Sequence, residues 1–414
     1  MNLHKYTFGM GDRFGHQGHA QLAAIIQARA LGLPIYPVWN KSNREHLLVG
    51  TQPDDLRAAA DAAVDAAGWT DDYHVDADHI GITTVDRFIN ASNFYTLDVA
   101  DFIGQPAAPA DIACFVSEMA KYTGTLTVPG IAAPVAVTDE TVRSAAGKFL
   151  AAIQEAGRIY RHIVVRKGAG HFITEVSVDE TDLPQSPVEL LLILAMIARE
   201  GIPAQTIAPK FTGRFNKGVD YVGSIARFEA EFDQDLCVIA HAIREFGLPA
   251  SLKLSIHSGS DKFSLYPTIN RLIKQHNAGL HVKTAGTTWL EEVIGLAEAG
   301  GEGLEIAKAI YAGAYPKAAE LVAPYAPVVD IVIAGLPTPA EVAAWSAEKF
   351  VATLRHDQND PDYNVQFRQF IHVAFKVAAQ MGARYTDALE KFRPVIARNV
   401  THNLFERHIK PLFG

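Results

Sequence analysis

Asp179, Glu180 and Asp182 place three carboxylates within four residues at the end of one strand-like run, and two later runs of the same kind carry a histidine each, His257 and His281. Carboxylates and imidazoles are the side chains that hold divalent transition metals. Alternation along 172–180 sets Glu175, Ser177 and Asp179 on one face, with Glu180 at the exit as the preferred metal ligand. The competing reading is that Asp179, Glu180 and Asp182 cap a helix starting near Pro187, because carboxylates favour helix N-termini. It is strongest for Asp182 and weaker for Glu175, which lies inside the run.

His257 opens the loop Ser258-Gly259-Ser260-Asp261-Lys262-Phe263, whose small residues allow a ligand close to the backbone and whose N–H groups suit a carboxylate or phosphate. A lone histidine at a strand end is more often structural than a ligand. Here the arrangement repeats one unit later, where His281 and Lys283 share a face ahead of a second small-residue turn. The run Tyr73-His74-Val75-Asp76-Ala77-Asp78-His79 sets His74, Asp76 and Asp78 together with His79 opposite or in the loop, a source of acid/base groups or of further metal ligands; charges on an edge strand are the alternative. Lys210 begins a segment of three cations and two aromatics. Arg13 sits in Gly9-Met10-Gly11-Asp12-Arg13-Phe14-Gly15-His16, which has the wrong spacing for a dinucleotide fingerprint and reads better as a carboxylate contact. Neither a phosphate-loop nor a nucleophile-elbow motif occurs in the chain.

Short β-branched or aromatic runs alternate with Ala-rich amphipathic segments, the pattern of parallel strands joined by helices. Strands are expected at 5–8, 34–38, 73–76, 94–97, 172–178, 204–207, 252–256, 279–282 and 328–333, with a weaker run at 163–165. Helices are expected at 18–31, 53–67, 139–157, 186–200, 224–246 and 287–298, with Gly201 and Gly247 closing two of them. The fold class is α/β: a TIM-like (β/α)8 barrel over 1–336 with one spurious or accessory strand and an insertion at 104–138, followed by a C-terminal helical region over 337–414. An open doubly wound sheet is the alternative. In a barrel, residues distant in sequence converge where the strands end, the site of catalysis in essentially every enzyme of that fold.

With 414 residues, 49% hydrophobic and 20% charged, the chain has the composition of a globular enzyme. A net charge of -9 leaves no basic excess to replace the counterions of nucleic acid, so a small molecule is the expected partner. Two distant cysteines, Cys114 and Cys237, point to neither a disulfide framework nor a thiolate zinc site. With no secretory leader and no run of membrane-spanning length, a cytoplasmic setting is expected, and a homo-oligomer is left open.

Four blocks make the sequence recognisable: Val178-Asp179-Glu180-Thr181-Asp182, Lys210-Phe211-Thr212-Gly213-Arg214-Phe215, Ser255-Ile256-His257-Ser258-Gly259-Ser260-Asp261-Lys262-Phe263 and His281-Val282-Lys283-Thr284-Ala285-Gly286-Thr287-Thr288-Trp289. With these the chain resembles the tagaturonate epimerase family from Gly9 to the C-terminal helices. The resemblance implies a metal-dependent sugar-acid epimerase that interconverts tagaturonate and fructuronate, and together with the strand-end argument it gives Glu180, His257 and His281 as ligands of one divalent ion (zinc, manganese, iron, cobalt or nickel). The inverted carbon is β to the ketone, so deprotonation beside the carbonyl cannot invert it, whereas retro-aldol cleavage and re-addition can. Asp76, Asp78, His79 and Asp179 are the candidate catalytic groups. Arg13, Lys210, Asp261, Lys262 and Lys283 are the candidate substrate contacts. Two alternatives are a Schiff base on Lys283 or Lys210 and a sugar-acid binding protein without turnover.

Overall fold

In the computed structural model, which describes residues 1–284 and 286–414, eight parallel strands close into a barrel. In chain order they are β1 (Tyr6–Gly11), β2 (Ile35–Ser42), β3 (His74–Ile80), β4 (Phe94–Asp98), β5 (Ile173–Ser177), β6 (Thr206–Ala208), β7 (Lys253–Ile256) and β8 (Leu280–Thr284). Each pairs with its neighbours in sequence, and β1 closes on β8 through Tyr6↔Leu280 to Met10↔Thr284. Parallel neighbours need a long crossover, and helices supply it. Their ends are locally encoded. Ser186 and Glu189 form a capping box on helix Pro187–Arg199, so Ser186, and not Asp179, Glu180 or Asp182, caps that helix. Gly201 and Gly247 have positive φ at two helix exits, as expected.

Alternation stacks the barrel interior in layers. Leu3, Val38, Phe94 and Ile173 form an apolar floor. Two residues further along, Asp76, Thr96, Glu175 and Lys283 form a buried polar layer, and Asp78, Asp179 and His257 follow towards the mouth. Gly9 is required by this stacking: a Cβ there would lie 3.2 Å from Lys283 Cα and Cγ and 3.1 Å from Asn40 Oδ1.

Two expected strands are absent. Residues 328–333 run from the end of the 3-10 segment Ala323–Val328 to the start of another, Ile333–Gly335, and form no strand, because a closed barrel offers no edge to extend. Residues 163–165 lie within helix Asp139–Lys167, whose N-terminus Thr138 caps. The 104–138 segment, between β4 and that helix, carries helix Pro109–Met119 and an antiparallel hairpin of Gly124–Leu126 with Val135–Val137. The C-terminal helices lie against the barrel's own helices. Gly295 packs on Ile396, whose Cα a Cβ would approach to 2.7 Å, and Thr401 Oγ1 donates to Ala20 O at 2.8 Å. Cys114 and Cys237 are both free thiols. No helix among the described residues is long and apolar enough to cross a membrane.

Candidate active site

Lys283 reaches across the middle of the barrel and donates to Asp76 Oδ2 at 2.7 Å and Asp78 Oδ1 at 2.9 Å, with Glu175 Oε1 at 2.9 Å and Thr96 Oγ1 also in contact. Burial opposes a charged ammonium, but the three carboxylates outweigh it and hold the lysine well above its usual range. Asp76, pushed up to about 6 chiefly by burial against the pull of Lys283, is the member of this layer most ready to take a proton.

His257, at the end of β7, sits between two acids. Its Nε2 lies 2.7 Å from Glu175 Oε1, and its Nδ1 lies 3.3 Å from Asp179 Oδ2 without hydrogen-bond geometry. Burial alone would favour the neutral ring; Asp179 and Glu175 reverse this and raise it to about 10. Asp179 is fixed by the hydroxyl of Ser177 at 2.6 Å. The His79 ring, on a residue with φ 53, lies 5.0 Å from that of His257, and its Nδ1 meets Asp78 Oδ1 at 2.9 Å. Ligand atoms of His79, Asp179 and His257 all lie within 4.8 Å of one another. Two imidazoles and a carboxylate are a donor set suited to a divalent transition metal.

Asp179 and His257 open onto a cavity of about 120 Å³ whose other walls include Lys210, Phe211, Arg214 and Ser258. It stands over the C-terminal ends of β5, β6 and β7. Arg214 is engaged by Asp330 at 2.7 Å, whereas the Lys210 side chain meets no hydrogen-bonding partner among the described residues. A cation at the edge of a small polar cavity suits a carboxylate ligand.

The tagaturonate epimerase family model matches residues 1–391. The chain belongs to the tagaturonate epimerase family. It is 29% identical over 302 residues to the tagaturonate/fructuronate epimerase of Thermotoga maritima, covering 69% of this chain; it spans 58% of that relative's length. The native and glycerol-complexed crystal structures of the fructuronate-tagaturonate epimerase from Cohnella laeviribosi each match at a TM-score of 0.81 and 25% identity, over 100% of this chain and 82% of theirs. Ala285, in one of the blocks carrying the family resemblance, lies outside the described residues.

The structure regroups several residues that the sequence suggested. Among the expected ligands Glu180, His257 and His281, only His257 belongs to the group formed with His79 and Asp179. His281 pairs in register with Ser255, two residues before His257, and so lies roughly 6.6 Å deeper. There its Nδ1 meets Thr7 Oγ1 at 2.9 Å and its ring packs beside Phe94 on the floor. Glu180, one residue past Asp179, is an exposed residue outside the ligand group, with its carboxyl within electrostatic reach of Asp98, Asp179 and His79. His79 and Asp179, expected as catalytic groups, take their places in the cluster.

Asp261 and Lys262, expected as substrate contacts, do not line the mouth cavity. Asp261 is fully buried against Arg368 Nη2 at 3.2 Å and His356 Nδ1 at 3.3 Å, and Lys262 Nζ donates to the carbonyls of Asn216, Val219 and Ser260 at 2.8 Å each. Arg13 is likewise taken up, with Nε on Glu45 at 3.2 Å, Nη1 on His372 O at 3.0 Å and its plane 3.9 Å from the Phe375 ring centre. Lys283 is occupied by three carboxylates that hold it charged, whereas a Schiff-base amine needs a neutral nitrogen. Only Lys210 keeps its expected place at the cavity. Glu175 and Thr96 join the site in addition to the expected groups: an acid inside a strand-like run is the sequence signal for Glu175, whereas Thr96 carries no signal of its own.

Proposed function

We propose that this chain interconverts tagaturonate and fructuronate by retro-aldol cleavage and re-addition at the mouth of the barrel, with a divalent transition metal on His79, Asp179 and His257. The observation that carries the reading is the convergence of those three side chains beside a cavity that Asp179 and His257 line together with the cation Lys210, in a member of the tagaturonate epimerase family. Charge balance supports it. Asp76, Asp78, Glu175 and Asp179 outnumber the buried lysine that faces them, and a dication in place of the His257 proton offsets part of that negative charge. Because the His257 ring is protonated between its two acids, metal binding would release that proton.

Lys210 holds the substrate carboxylate and fixes which end of the sugar enters. The base is Glu180. It has no hydrogen-bond or ion-pair partner among the described residues, and the protein atoms around it, with Asp98 and Asp179, push its carboxyl above the usual range. Glu180 takes the proton of the β-hydroxyl; the freed oxygen pair forms the aldehyde as the α–β carbon bond breaks, and the pair of that bond passes into the α-carbon and ketone as an enediolate. A divalent metal held by His79, Asp179 and His257 would supply Lewis-acid stabilisation of that charge. The aldehyde turns, the α-carbon attacks its other face, and Glu180 returns the proton. Two fragments exist midway, so enclosure by the loops over the cavity matters. Such metabolic chemistry and the two free thiols are in keeping with a cytoplasmic location.

The decisive experiment is metal analysis of the purified protein with assays on both sugar acids in heavy water. Chelation is expected to abolish turnover and metal to restore it, with no solvent deuterium at the inverted carbon. Glu180→Gln should lower kcat by about 10²-fold or more at unchanged metal content, whereas His257→Gln should lose the metal. Full activity without metal, or deuterium at the inverted carbon, would overturn the mechanism; binding of a uronate with no turnover under every metal would leave a sugar-acid binding protein.

A further inference from the structure

A second cavity, of about 290 Å³, lies where helix Thr287–Glu298 meets the C-terminal helices, and it shares no lining residue with the mouth cavity. Its walls carry three guanidinium groups, from Arg355, Arg398 and Arg407. Glu298 answers two of them, accepting from Arg355 Nη2 at 2.6 Å and Arg398 Nη2 at 2.9 Å. Arg407 has no carboxylate partner among the described residues. Its Nη2 donates to His356 O at 2.5 Å and its plane lies 4.2 Å from the Phe263 ring centre.

The second acid, Glu291, is buried and pushed up to about 7, first by burial, so much of its charge is withdrawn near neutrality. Asn403 donates to it at 2.9 Å, and the amide oxygen of this 2%-exposed asparagine has no partner. A protonated Glu291 can instead donate to that oxygen, and the amide NH₂ is then the group left free to donate. A chain of net charge -9 has here gathered a local positive excess around buried polar groups and open space.

We propose that this cavity binds a small oxyanion, with Arg398 and Arg407 supplying the charge and Asn403 a buried donor. Phosphate and the carboxylate of a free sugar acid share the required chemistry, a compact anion presenting two or more acceptor oxygens to forked donors. The site has a path to the mouth. The His356 carbonyl that Arg407 holds belongs to the residue whose ring meets Asp261, in the loop that follows His257. The proposal stands apart from the epimerase reading, since it concerns binding away from the catalytic cavity.

The test is isothermal titration of the full-length protein at low ionic strength with inorganic phosphate in one arm and galacturonate in the other. Wild type and Lys210→Met, which alters the mouth cavity, are expected to bind phosphate alike. Arg398→Glu, a change at an exposed position, should weaken binding about tenfold or more while leaving the melting temperature within the wild-type range in phosphate-free buffer. Binding by galacturonate that survives Lys210→Met and fails in Arg398→Glu would assign the site to sugar acids instead of phosphate. Absence of binding by either anion, or binding unchanged in Arg398→Glu, would overturn the proposal.

Discussion

With its ammonium among Asp76, Asp78 and Glu175, Lys283 neutralises part of a carboxylate layer that has no access to bulk water. Removing one member of a buried ion cluster leaves the remaining charges desolvated and unpaired, at about 3–5 kcal/mol. Lys283→Met is therefore expected to lower stability in urea by that amount and to abolish turnover, while Lys283→Met combined with Glu175→Gln recovers part of the stability and none of the activity. Borohydride with substrate should leave Lys283 unmodified, because its nitrogen carries no free pair. At this scale the sequence was informative about residue type and face: Asp179 with Ser177, and His281 with Lys283, share faces as alternation requires. It did not resolve depth. His257 and His281 look equivalent in sequence, yet one lies at the mouth and the other on the floor.

Among the elements, the loop after β7 is the one the rest of the fold works hardest to fix. Ser258 and Asp261 both have positive φ, at 49 and 62 degrees, a conformation costly for residues other than glycine. The strain is held by partners from distant segments. Arg368, fully buried, donates to Asp261, to Leu354 O and to Gly218 O, and His408 Nε2 accepts from Asp261 N at 3.0 Å. Arg368→Met should cost about 3–5 kcal/mol and lower kcat by releasing the loop that carries His257; Asp261→Asn with Arg368→Met should restore more stability than activity. Denaturation and steady-state kinetics on the three proteins check this. From sequence this loop reads as an anion cradle, since its small residues allow close backbone approach and its N–H groups suit an anion. Its true partners lie about a hundred or more residues away, where no local pattern reports them. The strands at 94–97 and 252–256 were legible because their periodicity is local, whereas 328–333 has strand composition and no edge to join.

Across the whole molecule, the barrel and its helices enclose imidazoles that burial keeps neutral: His46 down at about 3, His74 at about 4 and His408 at about 4. The unfolded chain takes up these protons as pH falls below about 6.5 while the folded protein does not. Their contribution is whole above that pH and is lost progressively down through the folded values, about 3 kcal/mol for His74 alone. Urea midpoints of chelator-treated protein should fall steeply between pH 6.5 and 4, and His74→Phe should flatten that slope; an equal slope in the variant would remove His74 from the account. What the sequence determined by itself was the order of strands and helices, the barrel class and the supply of acids, imidazoles and lysines at strand ends, because hydrophobic period, caps and turn residues are written over a few neighbouring positions. Which of those groups meet was decided only by closure of the barrel, which sets depth through register and brings the C-terminal helices onto Asp261; contacts between β3, β5 and β7 across the barrel leave no trace in any short stretch of chain.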